Sequence, residues 1–357
     1  MRILILNRRD IANPAGGGAE IYTHEIARGL VDKYQCTVMV FTNRFKNCAA
    51  EEIIDGVQYI RRGNEVTVHL RGFLYALKNR KKFDRIIDEF NGIGFFTFFL
   101  PNSFLLIHQL YKEFWLRELG LPGVLPFILE PIILRLYRKK ATITVSHSTK
   151  KDLEQMGFRD VNIVMNATKH FPIDDSVKKD NNDPALVFLG RLKSTKRPED
   201  AIEIFKKVKV EVPTLRLWII GRGPEEEKLK MIANGIEGIT FWGWVDEEKK
   251  MSLLKRSHFL LVPGVREGFG INVIEAAATG TPAIGYDVHG LRDSILHGET
   301  GYLVNSTDEA ALRILELLKD IERYEKMSNN CLYYSKEFDW EKRVDEFWHK
   351  ICLRIKV

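Results

Sequence analysis

Short apolar runs alternate with helical segments along the whole chain, and this pattern leaves few folds open. Arg2–Leu6, Val38–Phe41, Asp84–Asp88, Ser103–Ile107 and Thr142–Val145 read as buried strands, with a helix over about 19–32 and further helical segments between them. The theme returns with Ala185–Leu189, Leu215–Ile220, Thr240–Phe241, Phe259–Val262, Ala283–Tyr286 and Tyr302–Val304. Helical stretches near 198–211, 225–232, 247–255, 272–279 and 308–318 separate these. Strands that carry apolar side chains on both faces, joined by helices, imply parallel doubly wound sheets. A chain of 357 residues is long enough for about two such domains. The polar segment 174–184, DDSVKKDNNDP, reads as the linker between them, and the stretch from Trp340 on reads as a final helix.

Composition narrows the class further. With 45% apolar and 29% charged residues, the chain can bury a core and is not a disordered type. Cys36, Cys48, Cys331 and Cys352 show neither a C-x-x-C pair nor metal-ligand spacing, which points to a reducing cytoplasm. Met1 leads directly into a strand, without the pattern of a signal peptide. The uncharged stretch 90–111 is broken by glycines and Pro101, and predicts two short buried elements rather than a membrane span. Net charge is +6, unevenly placed: residues 1–168 carry +7 and residues 169–357 carry −1. An acidic partner is therefore expected at the first half, and charge alone allows nucleic acid or an anionic membrane.

Two doubly wound halves predict a ligand outside the carboxyl ends of the strands, in a cleft between the halves. No G-x-x-x-x-G-K-[ST] occurs, so a P-loop kinase or ATPase is not expected; no H-E-x-x-H and no D-x-D occurs, so no metal site is expected. The loop Asn13-Pro-Ala-Gly16-Gly17-Gly18-Ala-Glu20 fails as a dinucleotide fingerprint, because Ile21 stands where the third glycine belongs and no acidic residue ends the second strand. It does place backbone N–H groups at a helix N-terminus, where phosphate binds well. Pro263-Gly-Val-Arg-Glu267-Gly268-Phe269-Gly270 follows one buried strand and opens the helix carrying Glu275. Were both glutamates helical, their eight-residue separation would span ~12 Å. That is too far for the roughly 5 Å carboxylate pair of a retaining glycosidase, so two contacts on an extended ligand fit better.

These residues resemble the E-x7-E region of the family 4 glycosyltransferases, which have the GT-B fold of two Rossmann-like domains. Gly16-Gly17-Gly18-Ala-Glu20 is similar to the family's G-G-x-E phosphate loop, and Gly190-Arg191-Leu192…Lys196 to its G-R-L…K segment. Gly221-Arg-Gly223-Pro224 and Phe241-Trp-Gly243-Trp-Val245 match strand-end turns, the second beside the nucleobase. Ser146-His147-Ser148-Thr149 resembles its V-S-x-x-T segment, and Phe338-Asp-Trp340 the start of a final helix that returns to the first domain. Asn166-Ala167-Thr168 departs from the family's usual hinge, and His289-Gly290-Leu291-Arg292-Asp293 from its G-G-x-x-E loop.

The resemblance implies domains at 1–168 and 169–338, with a returning helix at 339–357. It implies a metal-independent hexosyltransferase that retains configuration, moving sugar from a UDP- or GDP-sugar to an acceptor hydroxyl without a cofactor. Arg191 and Lys196 would hold the diphosphate with the Gly17 and Gly18 amides. Glu267 and His108 would position the sugar, Glu275 the ribose, Val245 the base, and the Gly268-Phe269-Gly270 backbone would lie by sugar and phosphates. Histidines 147, 170 and 289 have weaker claims. A sugar-nucleotide epimerase on the same fold is the alternative; a NAD-dependent oxidoreductase and a non-catalytic binder are disfavoured. No nucleic-acid partner is expected.

Two further segments combine apolar and basic residues. Leu70–Lys82 carries Phe73, Leu74 and Leu77 beside Lys78, Arg80, Lys81 and Lys82; Tyr111–Lys140 carries Phe114, Trp115 and Phe127 and ends in Arg138-Lys139-Lys140. Both fit a peripheral contact with the inner, anionic face of a membrane, and with it a lipid-linked or polysaccharide acceptor; the alternative is ordinary amphipathic helices packed on the sheet.

Overall fold

The computed structural model describes residues 1–169 and 179–352. The first stretch runs β1 (Arg2–Leu6), α1 (Gly18–Tyr34), β2 (Thr37–Thr42), β3 (Glu51–Ile54), β4 (Val57–Arg61), α2 (Val68–Asn79), β5 (Arg85–Glu89), β6 (Ser103–Ile107), α3 (Glu113–Leu119), α4 (Val124–Arg135), β7 (Thr142–Thr144), α5 (His147–Gln155) and β8 (Val161–Ile163). The second runs β9 (Ala185–Leu189), α6 (Pro198–Lys209), β10 (Arg216–Ile220), α7 (Glu226–Ala233), β11 (Ile239–Gly243), α8 (Glu247–Arg256), β12 (Phe259–Val262), α9 (Ile271–Ala277), β13 (Ala283–Tyr286), α10 (Leu291–Ser294), β14 (Gly301–Val304), α11 (Thr307–Lys319) and α12 (Ile321–Ser335). The last helix is α13 (Trp340–Cys352). Two compact units result: Thr168–Asp339, and Met1–Ala167 joined by the chain from Trp340 on.

The first unit holds an eight-stranded sheet in the order β3-β4-β2-β1-β5-β6-β7-β8, parallel except for β3 against β4. That antiparallel pair is a hairpin whose turn residues, Asp55 (φ 48°) and Gly56 (φ 75°), are both left-handed, as a tight hairpin turn requires. The strand order turns around β1, with β2 on one side and β5 on the other. Loops leaving β1 and β5 therefore diverge to opposite faces and open a crevice at their carboxyl ends. Helix α13 belongs to this unit because of α1. Gly29 has no side chain where Val344 packs (an added Cβ would lie 2.3 Å from it), and Tyr34 stacks on Trp348 at 4.3 Å. Lys33 and the Tyr34 hydroxyl both reach Asp345.

The second unit holds a six-stranded, all-parallel sheet in the order β11-β10-β9-β12-β13-β14. Its central strand β9 shows why the apolar runs are continuous. Leu186 and Phe188 pack with Ile202 and Phe205 of α6 and Ile314 of α11. Ala185 and Val187 point the other way, to Leu254 of α8 and Ala276 of α9. Here the order turns between β9 and β12.

The segment read as a linker is not free along its length. Residues 174–178 lie outside the described residues, as does His170. Residues 179–184 are tied into the second unit: Asp183 accepts from Arg216, and Lys179 donates to Thr281 Oγ1 at 2.8 Å. Burial lowers the Lys179 pKa from its ordinary value to about 7. Among the described residues no helix is long and apolar enough to cross a membrane.

Candidate functional site

In the second unit, the loops after β9 and β12 meet at the point where the strand order turns. The β9 loop is forced close to its neighbour by glycine. A Cβ on Gly221 would lie 2.0 Å from the Gly190 carbonyl, and one on Gly223 would lie 2.3 Å from that of Leu192. Gly190 and Leu192 donate their amides to Ile220 and Arg222 across the same contact. Arg191, half-buried, rides on this turn, and a 3₁₀ turn at Ser194–Lys196 follows.

Lys196 then reaches the β12 loop. Its Nζ lies 2.5 and 2.6 Å from the two carboxylate oxygens of Glu267. A backbone bond from Val265 to the Thr195 carbonyl, 3.0 Å, locks the loops beside that pair. Glu267 is buried and lies ahead of α9 rather than in it. The loop 289–293, which departs from the usual family sequence, fixes its backbone. The Glu267 amide donates to His289 O at 3.0 Å, and Gly290 (φ 82°) lets the chain pass where a Cβ would sit 2.2 Å from Glu267 O. Gly270 (φ 91°) caps α9. Phe269 turns inward onto Phe338 at 5.6 Å, so at this position the backbone alone is presented to a ligand.

Glu275 lies on α9 and is also buried. Its Oε1 takes Lys250 Nζ at 2.7 Å, and Lys250 pairs with Glu247 as well at 2.8 Å. Burial alone would depress the Lys250 pKa, but the two carboxylates outweigh it and hold it above the ordinary value. Lys250 is a partner that sequence reasoning missed. Val245 lies half-buried just past the end of β11, beside an exposed Trp244.

In the first unit, the loop after β1 is anchored by charge. Asp10 and Arg61 are both fully enclosed and bonded at 2.6 Å; Asp10 also accepts from Thr42 Oγ1 and from the Ala12 amide. A buried pair this tightly bonded is costly to break from one side, so it holds the loop in place. The glycine-rich stretch is partly occupied by the chain itself. The Gly16 amide donates to Asn13 O at 2.7 Å, and the Gly17 amide to the Glu20 carboxylate at 2.7 Å. A phosphate at Gly17 would have to displace Glu20, whereas the Gly18 amide heads the first turn of α1.

His108 follows β6 directly and is largely buried. Its Nε2 lies 3.2 Å from Glu89 Oε1, and its ring meets Tyr22 edge-on at 5.1 Å. Thr149 Oγ1 donates to its carbonyl, so the Ser146–Thr149 segment serves as a cap on α5 that also steadies His108. Glu89, the last residue of β5, is wholly buried and was not singled out from sequence. Thr23 Oγ1 donates to its Oε2 at 2.6 Å, and Asn91 bridges its Oε1 to Asn7. The missed signal is a carboxylate at a strand's carboxyl end, two residues before an asparagine. Asn7, Glu89 and His108 thus end the adjacent strands β1, β5 and β6.

A cavity of about 270 Å³, lined by Arg85, Ser103, Lys139 and Lys140, opens at the start of β6, the opposite end from His108. Among the described residues no group of three or more His, Cys, Asp or Glu side chains could hold a metal ion.

Residues 16–168 match the family described as Glycosyltransferase Family 4, and residues 171–332 match Glycosyl transferases group 1. The N-acetyl-alpha-D-glucosaminyl L-malate synthase of Bacillus anthracis is 30% identical over 50% of this chain and 46% of its own length. The chain thus spans about half the length of the curated relatives it matches. Sucrose-phosphate synthase from Thermosynechococcus elongatus shares the fold over 98% of this chain and 97% of its own, with a TM-score of 0.81 at 18% identity. The Anabaena protein HepE, solved with UDP and glucose, does so over 99% and 100%, with a TM-score of 0.73 at 15% identity. With both halves matched in order and two parallel-sheet domains of the GT-B type, the chain belongs to the family 4 glycosyltransferases.

Proposed function

We propose that this protein is a retaining glycosyltransferase that moves a hexose from a nucleoside-diphosphate donor, a UDP- or GDP-sugar, to an acceptor hydroxyl without a bound metal. The observation that carries this reading is the Lys196–Glu267 pair between the loops after β9 and β12. It sets a cation and a carboxylate side by side at the ligand crevice of a doubly wound sheet. HepE, a neighbour in fold, was solved with UDP and glucose, which favours a UDP-sugar.

The roles follow from the chemistry. As the bond between the anomeric carbon and the phosphate oxygen breaks, negative charge gathers on the departing diphosphate. Lys196 and Arg191 stabilise it there, in place of a metal. Glu267 accepts from sugar hydroxyls, and Glu275, oriented by Lys250, accepts from the ribose. Val245 borders the base, and the Gly268-Phe269-Gly270 backbone borders sugar and phosphates. On the first unit, the Gly18 amide supports the diphosphate, with Gly17 once Glu20 has moved, and His108, oriented by Glu89, holds a sugar hydroxyl. The acceptor oxygen attacks the face the phosphate leaves, and its proton passes to the departing phosphate oxygen. The acceptor is lipid-linked or a polysaccharide, and the protein works in the cytoplasm, peripherally on the membrane.

The test is a screen of UDP-, GDP- and ADP-hexoses in chelator, followed by the anomeric coupling constant of the product. One donor should raise the melting temperature and give product with unchanged configuration. Inverted product, or activity lost in EDTA and restored by magnesium, contradicts it.

A further inference from the structure

Helix α4 is built inside out. Its carboxylate, Glu130, is turned inward and only 2% exposed, accepting the Tyr111 and Lys112 amides at 2.7 and 2.9 Å and Trp115 Nε1 at 3.2 Å. Leu134 is buried beside it, but most of the other apolar side chains face outward: Leu125 is 64% exposed, and Ile128, Ile132 and Leu136 are each 52%. Spacings of three and four put these on one helical stripe, which Leu121, 88% exposed, extends by a turn. Phe127 shares the exposure, but Phe114 is buried and Trp115 packs over Gly92, so two of the aromatics marked from sequence lie outside the face. A contiguous exposed apolar stripe of this kind marks an interaction surface.

The stripe continues to α2. Ring contacts run from Phe73 of α2 to Phe99 (5.8 Å), from Phe99 to Phe98 (5.6 Å), and from Phe98 to Tyr137 beyond α4 (5.5 Å). Leu70 and Leu74, one turn apart on α2, are 61% and 53% exposed, and Phe99 is 51%. Exposed bases border both helices: Lys78 in the last turn of α2 with Arg80, Lys81 and Lys82 just after it, and Arg135, Arg138 and Lys139 at the end of α4. No Asp or Glu occurs from Val66 to Phe83.

We propose that α2, Phe98–Phe99 and α4 form one docking face for an anionic lipid leaflet. Apolar side chains enter the acyl boundary while the bordering bases meet lipid phosphates, and the two contributions add. Charge complementarity selects this occupant: a second copy seated on the same face would bring Arg135, Arg138 and Lys139 against their own kind. The face is also linked to the site of the first unit, since Glu130 clamps the backbone three and four residues after His108. Delivery of a lipid-borne acceptor to His108 rests on the function proposed above; the docking itself does not.

Flotation of the full chain with vesicles decides it. Wild type should float with an equal mixture of phosphatidylcholine and phosphatidylglycerol, not with phosphatidylcholine alone, and salt should weaken the binding. Leu125→Ser/Ile128→Ser/Ile132→Ser replaces exposed side chains and should leave the protein in the soluble fraction. Lys78→Glu/Arg80→Glu/Lys81→Glu/Lys82→Glu should weaken partitioning by about fivefold or more for each charge reversed. The melting temperatures of both variants, and the shift that UDP-glucose or GDP-mannose gives, should stay as in wild type. Failure of wild type to float at low salt, or flotation of the serine variant as well as wild type, overturns the proposal. So does a dimer that the serine variant dissolves without any vesicle binding. Absence of a nucleotide-sugar shift, with flotation intact, would count against the enzymatic reading alone.

Discussion

Replacing Lys196 by alanine tests the second unit where its two loops meet. The ammonium is chelated by both oxygens of Glu267, at 2.5 and 2.6 Å, and the carboxylate side chain is only 10% exposed against 31% for the lysine. Such a pair lies between a surface bridge, worth about 0–1 kcal/mol, and a buried one, whose breaking from one side costs about 3–5 kcal/mol. Lys196→Ala should therefore cost about 1–3 kcal/mol, most of it from the enclosed carboxylate left behind. For a unit of this size that lowers the melting temperature by about 2–12 °C. Thermal unfolding followed by circular dichroism, without nucleotide, reads it. Adding Glu267→Gln should restore much of the loss, because the orphaned charge is gone. If Lys196→Ala melts with wild type, or the double variant melts no higher than the single, the pair does not hold the loops as argued.

Four other substitutions or conditions have defined outcomes. Gly290→Ala puts a Cβ 2.2 Å from Glu267 O at a left-handed φ of 82°, so it should lower stability by about 1–3 kcal/mol and weaken nucleotide-sugar affinity, read by calorimetric titration. Gly280→Ala, also left-handed but facing the movable Ser328 hydroxyl, should lower stability alone. Glu89→Gln keeps the shape but not the charge beside His108, and steady-state kinetics should show kcat falling while donor KM stays within about twofold. Burial, aided by Arg8 for His69 and by Lys179 for His258, lowers both histidines from 6.5 to about 4. The unfolded chain then binds more protons between those values, so stability is fully present above pH 6.5 and is lost as pH falls toward 4. Urea midpoints should drop most steeply in that window, reporting a stability loss of up to about 3 kcal/mol per residue, and His69→Phe should flatten the drop.

Much of the fold was legible because its strands are buried on both faces. β9 and β12 announce themselves as unbroken apolar runs, and the helices between them by their spacing. The β3–β4 hairpin escaped notice although Asp55-Gly56 is a strong turn signal, because its outer strand Glu51–Ile54 is polar and exposed. Helix α12 was missed as well: its buried Tyr324, Met327 and Cys331 keep helical spacing but sit among polar residues. At the candidate site, glycines and charges at strand ends could be read in order along the chain. Their partners could not, since Lys250 meets Glu275, and Glu20 meets Gly17, only through side-chain direction. The inversion of α4 was equally hidden, because an apolar segment reads as buried until its single carboxylate is found inside.

The central claim is that the diphosphate of a nucleotide is held at Lys196 and Arg191, with Glu267 beside Lys196 to take the sugar. Isothermal titration of UDP, GDP and ADP into the full chain in EDTA tests it most directly. One of the three should bind with a 1:1 stoichiometry, and Lys196→Ala should weaken that binding at least tenfold, about 1.4 kcal/mol. Heat of binding from none of the three, or an unchanged affinity in Lys196→Ala, would contradict it.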